Sequence, residues 1–315
     1  MRVGPTTETV TLSSGERMAF APELLQETVA DFPGRFMAQT VEHLGFLPPI
    51  GRITDMWLAE RNGHQDLMAR GRDLDASEAP DMVAPDVYEQ TTDDSLPELS
   101  LSVGFEPRNF EARDARALTE TAPIDVQRKA LHADLPPLIW TITLGLGGVG
   151  LAGLNEYLKS FAKVFGEAHA NGLLTWLRSS SRRAKQSHRE NLLEVSFTVD
   201  DVRVVAYNSF HPDAAESFLY LEESVRKIAS LGTPLTMLID GDQTSPRLVA
   251  FYWHSGRWHL AWWCSDEATH VTRWFKKNAP APELFLGRPL LAGRSEIAKH
   301  MGGRYVDGVD TPPSG

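Results

Sequence analysis

Cysteine is almost missing from this chain of 315 residues: Cys264 stands alone. An intrachain disulfide is therefore excluded, as is a Cys-x-x-Cys metal pair, and both absences fit a reducing compartment. Positive charge is also short. Lys and Arg number 31 against 42 Asp and Glu, a formal net charge of -11. A nucleic-acid partner needs a basic face, so none is expected. Met1 to Glu8 lacks the apolar core of a signal peptide, and a cytoplasmic location is the expectation. Long apolar runs are few. One, Leu135 to Asn155, carries no charge and is long enough to cross a bilayer. Pro136, Pro137 and its glycines break it, and the reading taken forward is a buried strand at Leu138–Leu144, a glycine turn and a helix start.

What is present is ordinary globular material, 42% hydrophobic and 23% charged, with enough apolar side chains for real cores. The first third is rich in short strands. Pro22–Ala30 reads as a helix with proline in its first turn. Phe36–His43, Ile50–Glu60, His64–Leu74 and Leu99–Phe105 read as strands, with Asn62-Gly63 as a hairpin turn. The second half changes character. Leu151–Arg178 and Pro212–Leu231 carry helical periodicity. Leu192–Tyr207 and Arg247–Cys264 read as hairpins, the latter turning at His254-Ser255-Gly256 and carrying Trp253, Trp258, Trp262 and Trp263. The expected fold class is α+β. A mainly β, barrel-like domain over residues 1–107 is followed by a linker at 108–134, an α+β domain at 135–305 with two main amphipathic helices, and a Gly-, Pro- and Asp-rich disordered tail at 306–315.

The sharpest chemical suggestion is a histidine and a serine on neighbouring strands. A serine hydroxyl is a weak nucleophile until a base takes its proton, and imidazole suits that near neutral pH. His43 closes one strand. Ser102 lies in Leu99-Ser-Leu-Ser-Val-Gly-Phe105, where Gly104 would let a substrate carbonyl approach the backbone. Alternation puts Ser100 on the same face as Ser102.

The run His43-Leu-Gly-Phe-Leu-Pro-Pro-Ile-Gly51-Arg-Ile-Thr-Asp55, then Asn62-Gly63, Asp66-Leu-Met-Ala-Arg-Gly71, and Leu101-Ser102-Val-Gly-Phe105, resembles the prohead maturation proteases of tailed phages, over residues 36–107. The resemblance implies an assemblin-like β-barrel, His43 as general base, Ser102 as nucleophile and a protein substrate in an assembling, homo-oligomeric system. It leaves the third catalytic member open among His132, His64, Glu42 and Glu106. Where that family's histidine is usually followed by Asp, this chain has Leu44. The rival reading, from a different class, is a non-catalytic interaction protein that holds a partner through its tryptophan-rich hairpin, at a membrane surface in one version.

The remaining motifs have plain structural readings. Gly145-Leu-Gly147-Gly148-Val-Gly150 fits a phosphate-binding turn between strand and helix, but the acidic strand end expected ~20 residues later is missing. Cys264, near His259 and His270, reads as a small buried hydrophobe; alternation sets it on the face of Trp262 and opposite His259. Asp240-Gly241-Asp242 is first a turn signal. The basic run Arg178, Arg182, Arg183, Lys185 and Arg189 suits a helix end or an anionic lipid surface. Neither a cofactor nor a metal is expected.

Overall fold

A computed structural model describes residues 2–8, 10–11, 17–40, 44–83, 100–106, 109–128, 139–145, 167–185, 191–199, 202–210 and 246–281. His43, Gly147 to Gly150, the Pro212–Leu231 stretch, Asp240–Asp242 and the tail 306–315 lie outside the described residues.

The first part contains β1 (Arg2–Thr6), β2 (Val10–Thr11), β3 (Arg17–Met18), α1 (Pro22–Ala30), β4 (Met37–Gln39), β5 (Gly51–Arg61) and β6 (His64–Asp73). Pro22 occupies the first turn of α1, where its missing N–H costs nothing. Asn62 and Gly63 both adopt positive φ, 52° and 78°, as a type I′ hairpin turn demands. β1, β6, β5 and β4 form, in that order, an antiparallel four-stranded sheet.

The chain then runs through β7 (Asp75–Ala79), β8 (Ser100–Phe105), α2 (Ala112–Thr121), β9 (Asp125–Arg128), β10 (Ile139–Gly145), α3 (Glu167–Arg183), β11 (Asn191–Val199), β12 (Val202–Phe210), β13 (Leu248–His254), β14 (Arg257–Cys264), β15 (Ala268–Thr272) and α4 (Arg273–Asn278). These strands make one mixed sheet in the order β7-β15-β14-β13-β12-β11-β10-β8-β9. Two parallel pairs, β8 with β9 and β10 with β11, have α2 and α3 in their connections, because a parallel return needs a long crossover.

The fold is α+β, as expected, but among the described residues no barrel closes: the four-stranded sheet ends in β1 and β4, and the nine-stranded sheet in β7 and β9. β8, expected in the first domain, pairs with β10 and β9 instead. The segment expected as a linker supplies Phe110, α2 and β9 to this sheet and its core. Val103 and Phe105 of β8 are fully buried against Trp140 and the helices. The β5–β6 hairpin offers no comparable apolar cover, so the strand follows its side chains into the larger sheet.

Both faces of the large sheet are covered. On the first, Val103, Phe105, Trp140, Val195, Phe251 and Trp258 pack with Leu118 of α2 and Leu173, Trp176 and Leu177 of α3. On the second, Val205, Tyr207, Ala250, Trp262 and Val271 pack with Leu44, Phe46, Leu74 and Phe275 of α4. This double cover corrects the picture of an exposed aromatic hairpin: Trp258, Trp262 and Trp263 are all buried, and a sheet wrapped on both sides leaves alternation no solvent face.

The register of β14 jumps between Ala250↔Trp262 and Phe251↔Leu260, leaving Ala261 as a bulge. The bulge changes the parity of every residue before it. His259 therefore shares the second face with Cys264, contrary to simple alternation. Cys264 is fully buried, and burial, aided by the nearby charge of Asp266, pushes its thiol far above the usual range. It packs as a small hydrophobe.

Among the described residues no helix is long and apolar enough to cross a membrane. The described part of the uncharged stretch, Ile139–Gly145, is an inner strand. Arg182 and Arg183 close α3, where cations suit the helix dipole.

Candidate functional site

Ser102 sits half-buried on an inner strand. Thr143 of β10 is directly opposite on one side and Asp125 of β9 on the other. Directly paired residues share a face, so the serine has a hydroxyl and an exposed carboxylate beside it. His43 lies outside the described residues. The segment that follows it is fixed: Tyr207 donates its hydroxyl to the Gly45 carbonyl at 2.7 Å. Burial, reinforced by the Glu194 carboxylate, holds that phenol well above its ordinary pKa, so it acts as a neutral donor. Of the other candidate members, His64 opens β6 at the tip of the hairpin in the smaller sheet, Glu106 is buried at the end of β8, and Glu42 and His132 lie outside the described residues.

Among the described residues a serine and a histidine do meet in the large sheet. Ser77 Oγ is hydrogen-bonded to His270 Nδ1. The two residues are directly opposite on β7 and β15, and Trp263 stacks on the imidazole with centroids 3.6 Å apart. The ring is locked between an indole and a hydroxyl and ties the edge strand to the sheet. Nothing near Ser77 in the sequence marks it for this role, because the pairing depends on a parallel contact between residues 193 positions apart.

A recess lies where the two sheets meet. It is a cavity of about 550 Å³ lined by α1, the turn after it, the start of β5, Arg247 and Asp266. Its local geometry is sequence-encoded. Pro33 and Gly34 form a turn closed by the Arg35 N–H donating to the Phe32 carbonyl at 3.0 Å, with Gly34 at φ 83°. Positive φ at the third position is a type II turn, which proline before glycine favours. On the opposite side, buried Ser265 accepts from the N–H groups of Glu267 and Ala268 at 3.2 and 3.1 Å, which fixes Asp266 in the turn between β14 and β15.

Three arginines converge on that turn. Arg52 Nη1 meets Asp266 Oδ1 at 2.6 Å, Arg247 Nε meets Asp266 Oδ2 at 3.1 Å, and Arg72 Nη2 donates to the Asp266 carbonyl at 2.6 Å. Arg52 and Arg72 are directly paired across β5 and β6, an arrangement of like charges that destabilises a sheet. The Asp266 carboxylate thus serves two guanidiniums and its carbonyl a third, and Arg52 Nε is sealed from solvent without a partner. The other charges at the rim are matched: Arg35 with Asp31 and Asp55 with Arg70. In a chain of net charge -11, this local excess of cation is a departure from composition of the kind that marks functional sites.

Compared with known protein families, curated proteins and solved structures, the chain matches none.

Among the described residues no three His, Cys, Asp or Glu side chains are grouped to hold a metal. The His259 imidazole stacks on Trp274 with centroids 4.0 Å apart beside His254, and burial lowers its pKa. Sequence reading named Arg52 only as part of the Pro-Pro-Ile-Gly-Arg run and did not single out Asp266. The signal within reach was the spacing Arg70-Gly71-Arg72 on one strand of an acidic chain.

Proposed function

We propose that this chain is a binding protein that receives an acidic ligand in the cavity between α1, β5 and the β14–β15 turn. The supporting observation is the sharing of Asp266 by Arg52, Arg72 and Arg247 beside that cavity. Guanidiniums offer paired N–H donors to carboxylate and phosphate, and a second anion in the cavity would relieve their mutual repulsion. The cavity volume falls within the range of ~300–1,000 Å³ usual for small-ligand sites.

Thermal unfolding in phosphate, sulfate or acetate, against chloride at equal ionic strength, tests this. Ligand at ~100 times its dissociation constant stabilises by about 2.7 kcal/mol, so a rise of roughly 5 °C is expected for a chain of this size. Arg247→Gln should lose that rise. No rise for any anion, or the same rise in the variant, contradicts the reading.

A second reading is a serine hydrolase at Ser102 acting on protein. It draws support from the sequence resemblance and from the half-open position of Ser102 beside Gly104 with Asp125 on the next strand. A fluorophosphonate should then label the wild-type protein and not Ser102→Ala. Label retained in Ser102→Ala, or lost only in Ser77→Ala, contradicts Ser102 as the nucleophile.

A further inference from the structure

The cavity lining also carries apolar side chains. Val29 from α1, Phe32 and Phe36 from the turn region, and Ile53 and Met56 from β5 line it. All but Ile53 keep part of their surface exposed, so a ligand has apolar area to cover. A bare inorganic anion would occupy a small part of about 550 Å³, given that one water takes ~30 Å³ in the liquid. It would leave those side chains wet. A group with an apolar body would displace that water and bury them.

The polar end also selects. Asp266 is itself a carboxylate held by Arg52 Nη1 and Arg247 Nε. The guanidiniums are therefore already placed around a planar two-oxygen group, and they retain further N–H donors. Of the charges lining the cavity, Arg35 and Asp55 are paired with Asp31 and Arg70, so Arg52 and Arg247 against Asp266 leave one unit of positive charge for the ligand to match.

We propose that the ligand of this cavity is a carboxylate carried on an aromatic or branched aliphatic group, with its carboxylate at Arg52 and Arg247 and its apolar body against Phe32, Phe36 and Met56. This rests on the acidic-ligand reading above and adds the apolar half. Two sources share the chemistry: a free small acid, and the last residue of a peptide with a free C-terminus.

Titration calorimetry on the full chain separates the outcomes. The probes are acetate, 3-phenylpropionate, 3-phenylpropylamine, and acetyl-Ala-Ala-Phe as free acid and as amide. 3-Phenylpropionate should bind at least tenfold tighter than acetate, and the amine and the amide should not bind. Phe36→Ala should reduce the preference for 3-phenylpropionate over acetate several-fold. Tighter binding of the free-acid peptide than of 3-phenylpropionate supports the proposal and assigns the peptide source; weaker binding supports it and assigns the small acid. Equal affinity for acetate and 3-phenylpropionate overturns the apolar half and leaves the anion site standing. Silence from all probes overturns both, and binding of the amine overturns the charge selection.

Discussion

Asp266→Asn is expected to lower the thermal midpoint by about 4 °C in chloride and to recover most of that loss in phosphate. The side chain is the single carboxylate between Arg52 and Arg247, and its carbonyl holds Arg72. Asparagine keeps the turn, because Ser265 makes its bonds to the backbone of Glu267 and Ala268. What disappears is the charge. The three side chains in the two ion pairs keep 24 to 40% of their surface exposed, so solvent screens the loss and the cost is about 1–2 kcal/mol rather than that of a sealed pair. A shift of this size corresponds to a few degrees in a chain of several hundred residues. With the internal anion gone, an added one faces less competition, and phosphate should stabilise Asp266→Asn more than the wild type. Equal stability of the two proteins, or a variant indifferent to phosphate, would contradict the assignment of these arginines as an anion site.

Trp140→Ala should be more damaging, by about 3–5 kcal/mol in denaturant unfolding followed by circular dichroism. Trp140 is fully buried on β10. Its ring lies 5.8 Å from Phe105, 5.8 Å from Phe110 and 5.5 Å from Trp176 between centroids, and its Nε1 donates to buried Ser181 at 3.0 Å. Truncation opens a cavity among three aromatic side chains and strands a hydroxyl. The neighbours come from β8, from the segment once expected to be a linker, and from α3, so the loss should move one cooperative transition for the described core. If residues before 107 formed a separate domain, part of the signal would unfold at the wild-type denaturant concentration.

Features set by neighbouring residues were legible in the sequence. α1 starts at Pro22 because the ring suits a first turn, and the hairpins at Asn62-Gly63 and Ser255-Gly256 follow from residues that tolerate positive φ. Strand partners were not legible. Residues 75–79 fall inside the expected first domain, yet β7 is the edge partner of β15, and β8 joins β10 across the expected boundary. Such pairings are decided by which apolar faces find cover, and periodicity does not report that. The Ala261 bulge was hidden for the same reason, since one extra residue leaves the apolar run Leu260–Cys264 looking like a regular strand. The candidate site was hidden by distance: Arg52 and Arg72 come from one hairpin, and Arg247 and Asp266 flank another about 200 residues later. Alternation shows on which side of a strand an arginine lies, and it does not show that a second sheet ends beside it.

The most direct measurement is a crystal of the full chain soaked with 3-(4-bromophenyl)propionate, with the bromine located by anomalous scattering. The expected result is a bromine peak among Phe32, Phe36 and Met56, with the carboxylate on Arg52 and Arg247. A peak elsewhere, with the cavity empty at a concentration that binds in solution, would contradict the site.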